Sequence, residues 1–222
     1  MHSTEPHPYP GPSGPAQRAG RSIDPRGSAA HADRPHLLGG EGARPGTLEE
    51  EGAKHDGVLR LRDIAFADAA ALLARYGLRL ERVADGEAIP GSFWGDCEAG
   101  LVGATVHARG DTPVHSLLHE AGHLVVLPPE RRAAVHTDAT DSVEEEDAVC
   151  LLQALLGDAL PGVGRARVLA DMDAWGYTFR LGSAAAYFEH DADDAWAWVA
   201  GRGLVDADRR LLPPARPAPE DG

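Results

Sequence analysis

Residues 114–125, Val-His-Ser-Leu-Leu-His-Glu-Ala-Gly-His-Leu-Val, constrain this chain more than any other stretch, because they read as a helix with two unlike faces. With each residue advancing roughly 100°, His115 and His123 fall about 40° to either side of His119, and one face carries a histidine stripe. Val114, Leu117, Leu118, Ala121, Leu124 and Val125 occupy the other side at the i, i+3, i+4, i+7 spacing of a core-facing helix. Such a helix packs with one side and presents imidazoles with the other.

His119, Glu120 and His123 form an H-E-x-x-H pattern. Two imidazoles four residues apart are separated by roughly 6 Å along the axis. Tilted side chains can close that gap onto one ion at Zn–N distances of about 2.0–2.1 Å. Glu120, about 100° round from His119, cannot easily join them as a ligand. It can reach a water held by the ion, the general-base role this motif assigns to its glutamate. The competing reading is a solvated helix face that happens to be rich in histidine. His115, one turn earlier, would block the water position of a catalytic site if it were a ligand, so it is expected beside the site. Gly122 lowers helix propensity by about 1 kcal/mol against Ala, which fits a close approach or a tight helix crossing.

Composition bounds the rest. The 222 residues include 26 Gly and 17 Pro, which leaves room for one ordinary domain with disordered flanks. A formal net charge of −14 argues against nucleic-acid binding through a broad basic surface. Cys97 and Cys150 lie far apart without C-x-x-C spacing, so no disulfide framework or cysteine zinc site is indicated. No apolar run approaches the roughly 18 residues of a membrane span, and no signal-peptide pattern opens the chain. A cytoplasmic protein without membrane contact is expected.

Residues 1–57 are dense in Pro, Gly, Ser, His and Arg and short of aliphatic residues, so disorder is expected there and again from Pro213. Between them, 58–212 read as one α+β domain. A helix over Ile64–Tyr76 stops at Gly77 and a short strand follows over Leu78–Val83. Leu101–Arg109 alternates as a strand with one buried side. Asp111 or Thr112 is placed to cap the histidine helix, with Pro113 at its first position and Pro128-Pro129 ending it. Further helices are expected over Val143–Leu156, Arg165–Trp175 and Asp191–Ala200, the last capped by Asp191. Tyr177 could donate to an oxyanion, although a partly buried structural tyrosine is the more ordinary role.

A catalytic zinc usually keeps three protein ligands and one water, so a third donor is needed. In the helix from Val143, the apolar stripe Ala148, Val149, Leu152, Leu156 has Glu145 at its centre, and Glu144 and Glu146 about 100° to either side. A carboxylate on a buried face needs a cation or a metal, which favours Glu145 as ligand. The alternative is a capping box from Ser142 to Glu145; Asp141 with Glu144 could form the same box one residue earlier. Glu189 or His190 would come next if none of the three glutamates served.

The pattern H-E-x-x-H followed by Glu145-Glu146-Asp147-Ala148-Val149-Cys150-Leu151-Leu152-Gln153-Ala154-Leu155-Leu156 resembles the gluzincin metallopeptidases, most nearly the ImmA/IrrE group. Val149 stands where that group usually has Asn, and Leu151 where it usually has Phe. The resemblance implies a zincin-like domain with its active-site helix against a small antiparallel sheet and a mostly helical C-terminal part. It also implies about one Zn2+ per chain on His119, His123 and Glu145, with Glu120 as catalytic base. Leu101–Arg109 would then be the edge strand along which an extended peptide lies. The implied substrate is a protein, of a regulatory kind such as a transcriptional repressor. A metal- or peptide-binding protein on the same fold without turnover is the competing class.

Overall fold

The computed structural model describes residues 57–214 other than Trp94, Asp138, Thr140 and Asp141. The segments expected to lack order lie outside these residues apart from Gly57, Pro213 and Pro214, and the Asp141 cap lies outside them too. Among the described residues, seven α-helices and three short strands follow a single 3-10 turn over Leu61–Asp63. The helices are α1 (Phe66–Arg75), α2 (Val114–Val126), α3 (Pro129–Arg132), α4 (Val143–Asp158), α5 (Arg165–Trp175), α6 (Ala184–His190) and α7 (Asp193–Gly201). The strands are β1 (Arg79–Arg82), β2 (Gly100–Val102) and β3 (Thr105–Ala108). The class is α+β.

Helix α1 ends where the sequence places its stop. Gly77 takes φ +72°, and the Gly77 and Leu78 amides donate back to the Ala74 and Leu73 carbonyls, the paired bonds of a left-handed C-terminal cap. The chain then enters β1, which pairs in parallel with β3, while β2 pairs antiparallel with β3 in the order β1-β3-β2. The sheet is therefore mixed, which corrects the antiparallel expectation. The alternating stretch from Leu101 is two strands and not one, because Gly103 at φ +60° turns the chain between Val102 and Thr105. Its second half, β3, is internal. The outer side of β2 is covered, since Leu101 bonds Gly91 and Thr137, and Gly103 bonds the Val135 carbonyl. Neither half is an open edge for an extended peptide, and the expectation of one over Leu101–Arg109 fails.

Helix α2 is anchored to the sheet at its start. The Val114 amide donates to the Leu59 carbonyl at 2.9 Å, and Ser116 Oγ accepts from the Ala99 amide at 3.1 Å. Pro113 is the N-cap and not the first helical residue. The side chains expected to cap the helix are used in the preceding turn: Thr112 Oγ1 accepts from the Arg109 amide, and Asp111 takes the Arg109 guanidinium at 2.9 Å.

Behind α2 stands α4, the partner it contacts most, which also packs against α5 and α7. Every residue of α4 from Ala148 to Gly157 is buried, Gln153 among them. Val149 and Leu152 of the expected stripe do meet α2, over Gly122, but a helix buried all round is apolar on its other sides too, so the stripe does not fix which glutamate faces the histidines. Helix α5 closes on Gly176 at φ +104° with Tyr177 donating to the Met172 carbonyl. This left-handed turn delivers Tyr177 into the core beside α2. Helix α6, absent from the sequence reading, is capped by Ser183, whose Oγ accepts from the Ala186 amide. Asp191 ends α6 and holds Arg180 at 2.8 Å; α7 begins after it with Ala192 as cap. No helix of the described residues is long and apolar enough to cross a membrane.

Candidate metal centre

The histidine face of α2 is turned inward. His115, His119 and His123 are 1%, 7% and 5% exposed, which excludes the solvated-face reading of the stripe. The rings of His119 and His123 meet edge to face with centroids 4.7 Å apart, and their Nε2 atoms lie 3.2 Å from one another. The carboxylate that converges on this pair is Glu146, with Oε2 3.5 Å from His119 Nε2 and Oε1 3.4 Å from His123 Nε2. One donor atom from each of the three residues falls within 4.8 Å of the other two.

Glu145, the carboxylate favoured from the sequence, sits one step round. Its Oε1 is 3.9 Å from His123 Nδ1, on the far side of that ring and beyond hydrogen-bond distance. The reason is helix phase. The row of α4 that meets α2 is Glu146, Val149, Gln153, an i, i+3, i+7 set. Glu146 meets both Nε2 atoms, Val149 lies over Gly122, and Gln153 Oε1 is 2.8 Å from His119 Nδ1. Ser142 caps α4 by accepting from the Glu145 amide at 3.3 Å, which is the first half of the capping box expected from Ser142 to Glu145; the return bond from the Glu145 side chain is not seen among the described residues.

Gly122 belongs to the crossing. A β-carbon built there would stand 3.0 Å from Val149 Cγ1, so its absence lets α2 and α4 approach closely enough for donors from both to meet. Glu120 is half-buried, and its charge reaches both His123 and Tyr177.

The charges of the site pull the two imidazoles apart. Burial, reinforced by the neighbouring His123 and His115, holds His119 well below the usual histidine range, with Gln153 opposing. Burial also acts to lower His123, but the carboxylates of Glu145, Glu146 and Glu120 outweigh it and raise its pKa. Asp147, next to Glu146, is pushed up to about 6 by burial and by that neighbour, with Arg180 opposing. A largely buried group of two imidazole nitrogens and a carboxylate is of a kind that can hold a divalent cation.

His115 does not join the three donors. Its ring packs against Trp175 at 5.3 Å and edge-on to Tyr177 at 5.6 Å, and Trp175 Nε1 donates to the buried Glu98 at 3.1 Å. Burial raises the Tyr177 phenol well above its ordinary pKa, so it stays protonated and able to donate. Glu189 and His190 pair with each other at 3.8 Å on exposed surface, outside the converging group. A cavity of about 710 Å3 opens at the C-terminal ends of β1 and β3, lined in part by Arg62, Arg82, Asp85 and Asp111, and shares no residue with the histidine cluster.

Gln153 carries a contact that the sequence reading did not assign. The available signal was its isolation, as the one side chain with an amide or charge between Ala148 and Gly157. Comparison with protein-family profiles, with curated proteins and with solved structures finds no match to this chain.

Proposed function

We propose that this chain is a zinc-dependent peptidase on a zincin-like fold, with His119, His123 and Glu146 as metal ligands and Glu120 as the general base. One observation carries the reading. Two imidazole Nε2 atoms stand 3.2 Å apart on an H-E-x-x-H helix, with a carboxylate from a second helix 3.4 and 3.5 Å away. Two histidines and one glutamate are a donor set used by catalytic zinc, and it leaves a coordination position open. The fit is local: every donor belongs to the α2–α4 crossing.

When bound, zinc acts as a Lewis acid on a carbonyl and makes water acidic near neutral pH. The remaining work falls to the chain's own residues. Glu120, displaced about 100° from His119 on α2, accepts the proton of the attacking water and returns it to the departing amine nitrogen. Glu120 is half-buried, unlike the two histidines that flank it on α2. The rings of His119 and His123 are buried against α4, where Gln153 Oε1 lies 2.8 Å from His119 Nδ1. The substrate class is a polypeptide, and the motif's resemblance points to a regulatory protein.

The test is Glu120→Gln on the full chain, with zinc content and hydrolysis of an unstructured protein substrate measured together. Zinc is expected to stay at about one per chain while hydrolysis falls by at least roughly 100-fold, the lower end of a general base's contribution. Full activity in this variant would remove the base assignment. Stoichiometric zinc with no hydrolysis by the unaltered chain would leave a metal-binding protein.

A further inference from the structure

Gln153 is 0% exposed, in a helical stretch whose other side chains from Ala148 to Gly157 carry neither amide nor charge. Burying an amide without partners is unfavourable by roughly 1–3 kcal/mol in proteins, so a glutamine here is expected to have a specific contact. Its Oε1 lies 2.8 Å from His119 Nδ1, both groups buried. A side-chain carbonyl can only accept, so the proton between them belongs to Nδ1. A neutral imidazole with its proton on Nδ1 presents a lone pair at Nε2, the atom that faces His123 and Glu146. The opposite orientation of the amide would aim an NH2 at Nδ1 and force the ring proton onto Nε2, where it would block coordination. The Gln153 NH2 is buried and makes no hydrogen bond of good geometry among the described residues, with the Tyr177 hydroxyl near it.

We propose that Gln153 is a positioning residue that fixes the tautomer and ring orientation of His119, so that Nε2 is the metal-directed nitrogen. The inference rests on the reading of the cluster as a metal site, but its core claim concerns the metal-free chain. Partners of this kind behind a ligating histidine typically contribute 10–100-fold in metal affinity. Gln153 acts through His119 and touches no reacting atom.

Two measurements on the full chain test it. Ring-labelled histidine NMR of the metal-free protein is expected to find His119 protonated on Nδ1 in the unaltered chain and in Gln153→Glu, which keeps an acceptor oxygen. Gln153→Leu is expected to lose that preference. Zinc titration against a chromophoric chelator is expected to weaken by roughly 10–100-fold in Gln153→Leu at unchanged stoichiometry, with Gln153→Glu recovering most of the loss. Gln153→Met, which keeps the chain length without the oxygen, replaces the leucine variant if that one does not fold. His119 protonated on Nε2 in the unaltered chain would overturn the proposal. So would unchanged tautomer and affinity in the variant that lacks an acceptor. If the unaltered chain takes up no zinc, the peptidase reading fails, while the tautomer measurement still decides the role of Gln153.

Discussion

Glu145 and Glu146 are separated by one helical step of about 100°, and that step decides which of them is a ligand. Glu146 reaches both Nε2 atoms; Glu145 reaches only the Nδ1 side of His123, at 3.9 Å. Glu146→Ala is therefore expected to abolish stoichiometric zinc binding. Glu145→Ala removes a nearby charge without removing a donor and should weaken zinc by no more than roughly 10–100-fold. Chelator competition on both variants gives the order, and a larger loss in Glu145→Ala would reverse the assignment. The sequence makes the three glutamates and the two histidines visible as donors. It does not make the phase visible, because the burial of α4 on every side from Ala148 to Gly157 leaves no one apolar face to point toward α2.

At the scale of elements, the crossing of α2 and α4 sets how closely the donors approach. A β-carbon at Gly122 would stand 3.0 Å from Val149 Cγ1. Val149 is fully buried and β-branched, with essentially one side-chain rotamer open to it in a helix. Gly122→Ala gains about 1 kcal/mol of helix propensity, but overpacking of this kind typically costs 1–3 kcal/mol. The expected net is a loss of roughly 1 kcal/mol in urea unfolding, with Val149→Ala in the same chain relieving the clash. A net gain equal to the propensity term would mean that the crossing is loose. The histidine helix and α5 were legible from the sequence because periodicity, proline and glycine agree at their ends; α5 spans Arg165–Trp175 with Gly176 left-handed after it. The sheet was not legible, since β1 pairs with β3 across a long intervening loop and no local pattern encodes a parallel partner. Helix α6 is not legible in the sequence for a similar reason. Its seven residues are held by tertiary stacking, with Tyr187 and Phe188 each about 5 Å from Phe179, and a helix that short has little local signal.

For the whole molecule, the donors come from two helices joined only through the intervening chain and by their crossing, so a bound cation would tie them in the folded state alone. A ligand that binds the native chain and not the unfolded one stabilises it by about 2.7 kcal/mol at a concentration 100 times its Kd. In a domain of about 150 residues, 1 kcal/mol moves Tm by roughly 2–4 °C. Zinc at that concentration should therefore raise Tm by roughly 5–10 °C, and a chelator should return it to the metal-free value. The direction also follows from charge. The acidic run Glu144 to Asp147 opens α4 in a chain of formal net charge −14, and the crowding there is visible in Asp147, pushed up to about 6 by burial and by Glu146. A cation at the crossing neutralises that repulsion. Scanning calorimetry with zinc, with chelator, and with zinc added to Glu146→Ala separates specific ligation from diffuse screening. The unaltered chain should shift and the variant should not; an equal shift in both would mean that zinc acts on the acidic surface as a whole and that α2 and α4 do not share an ion.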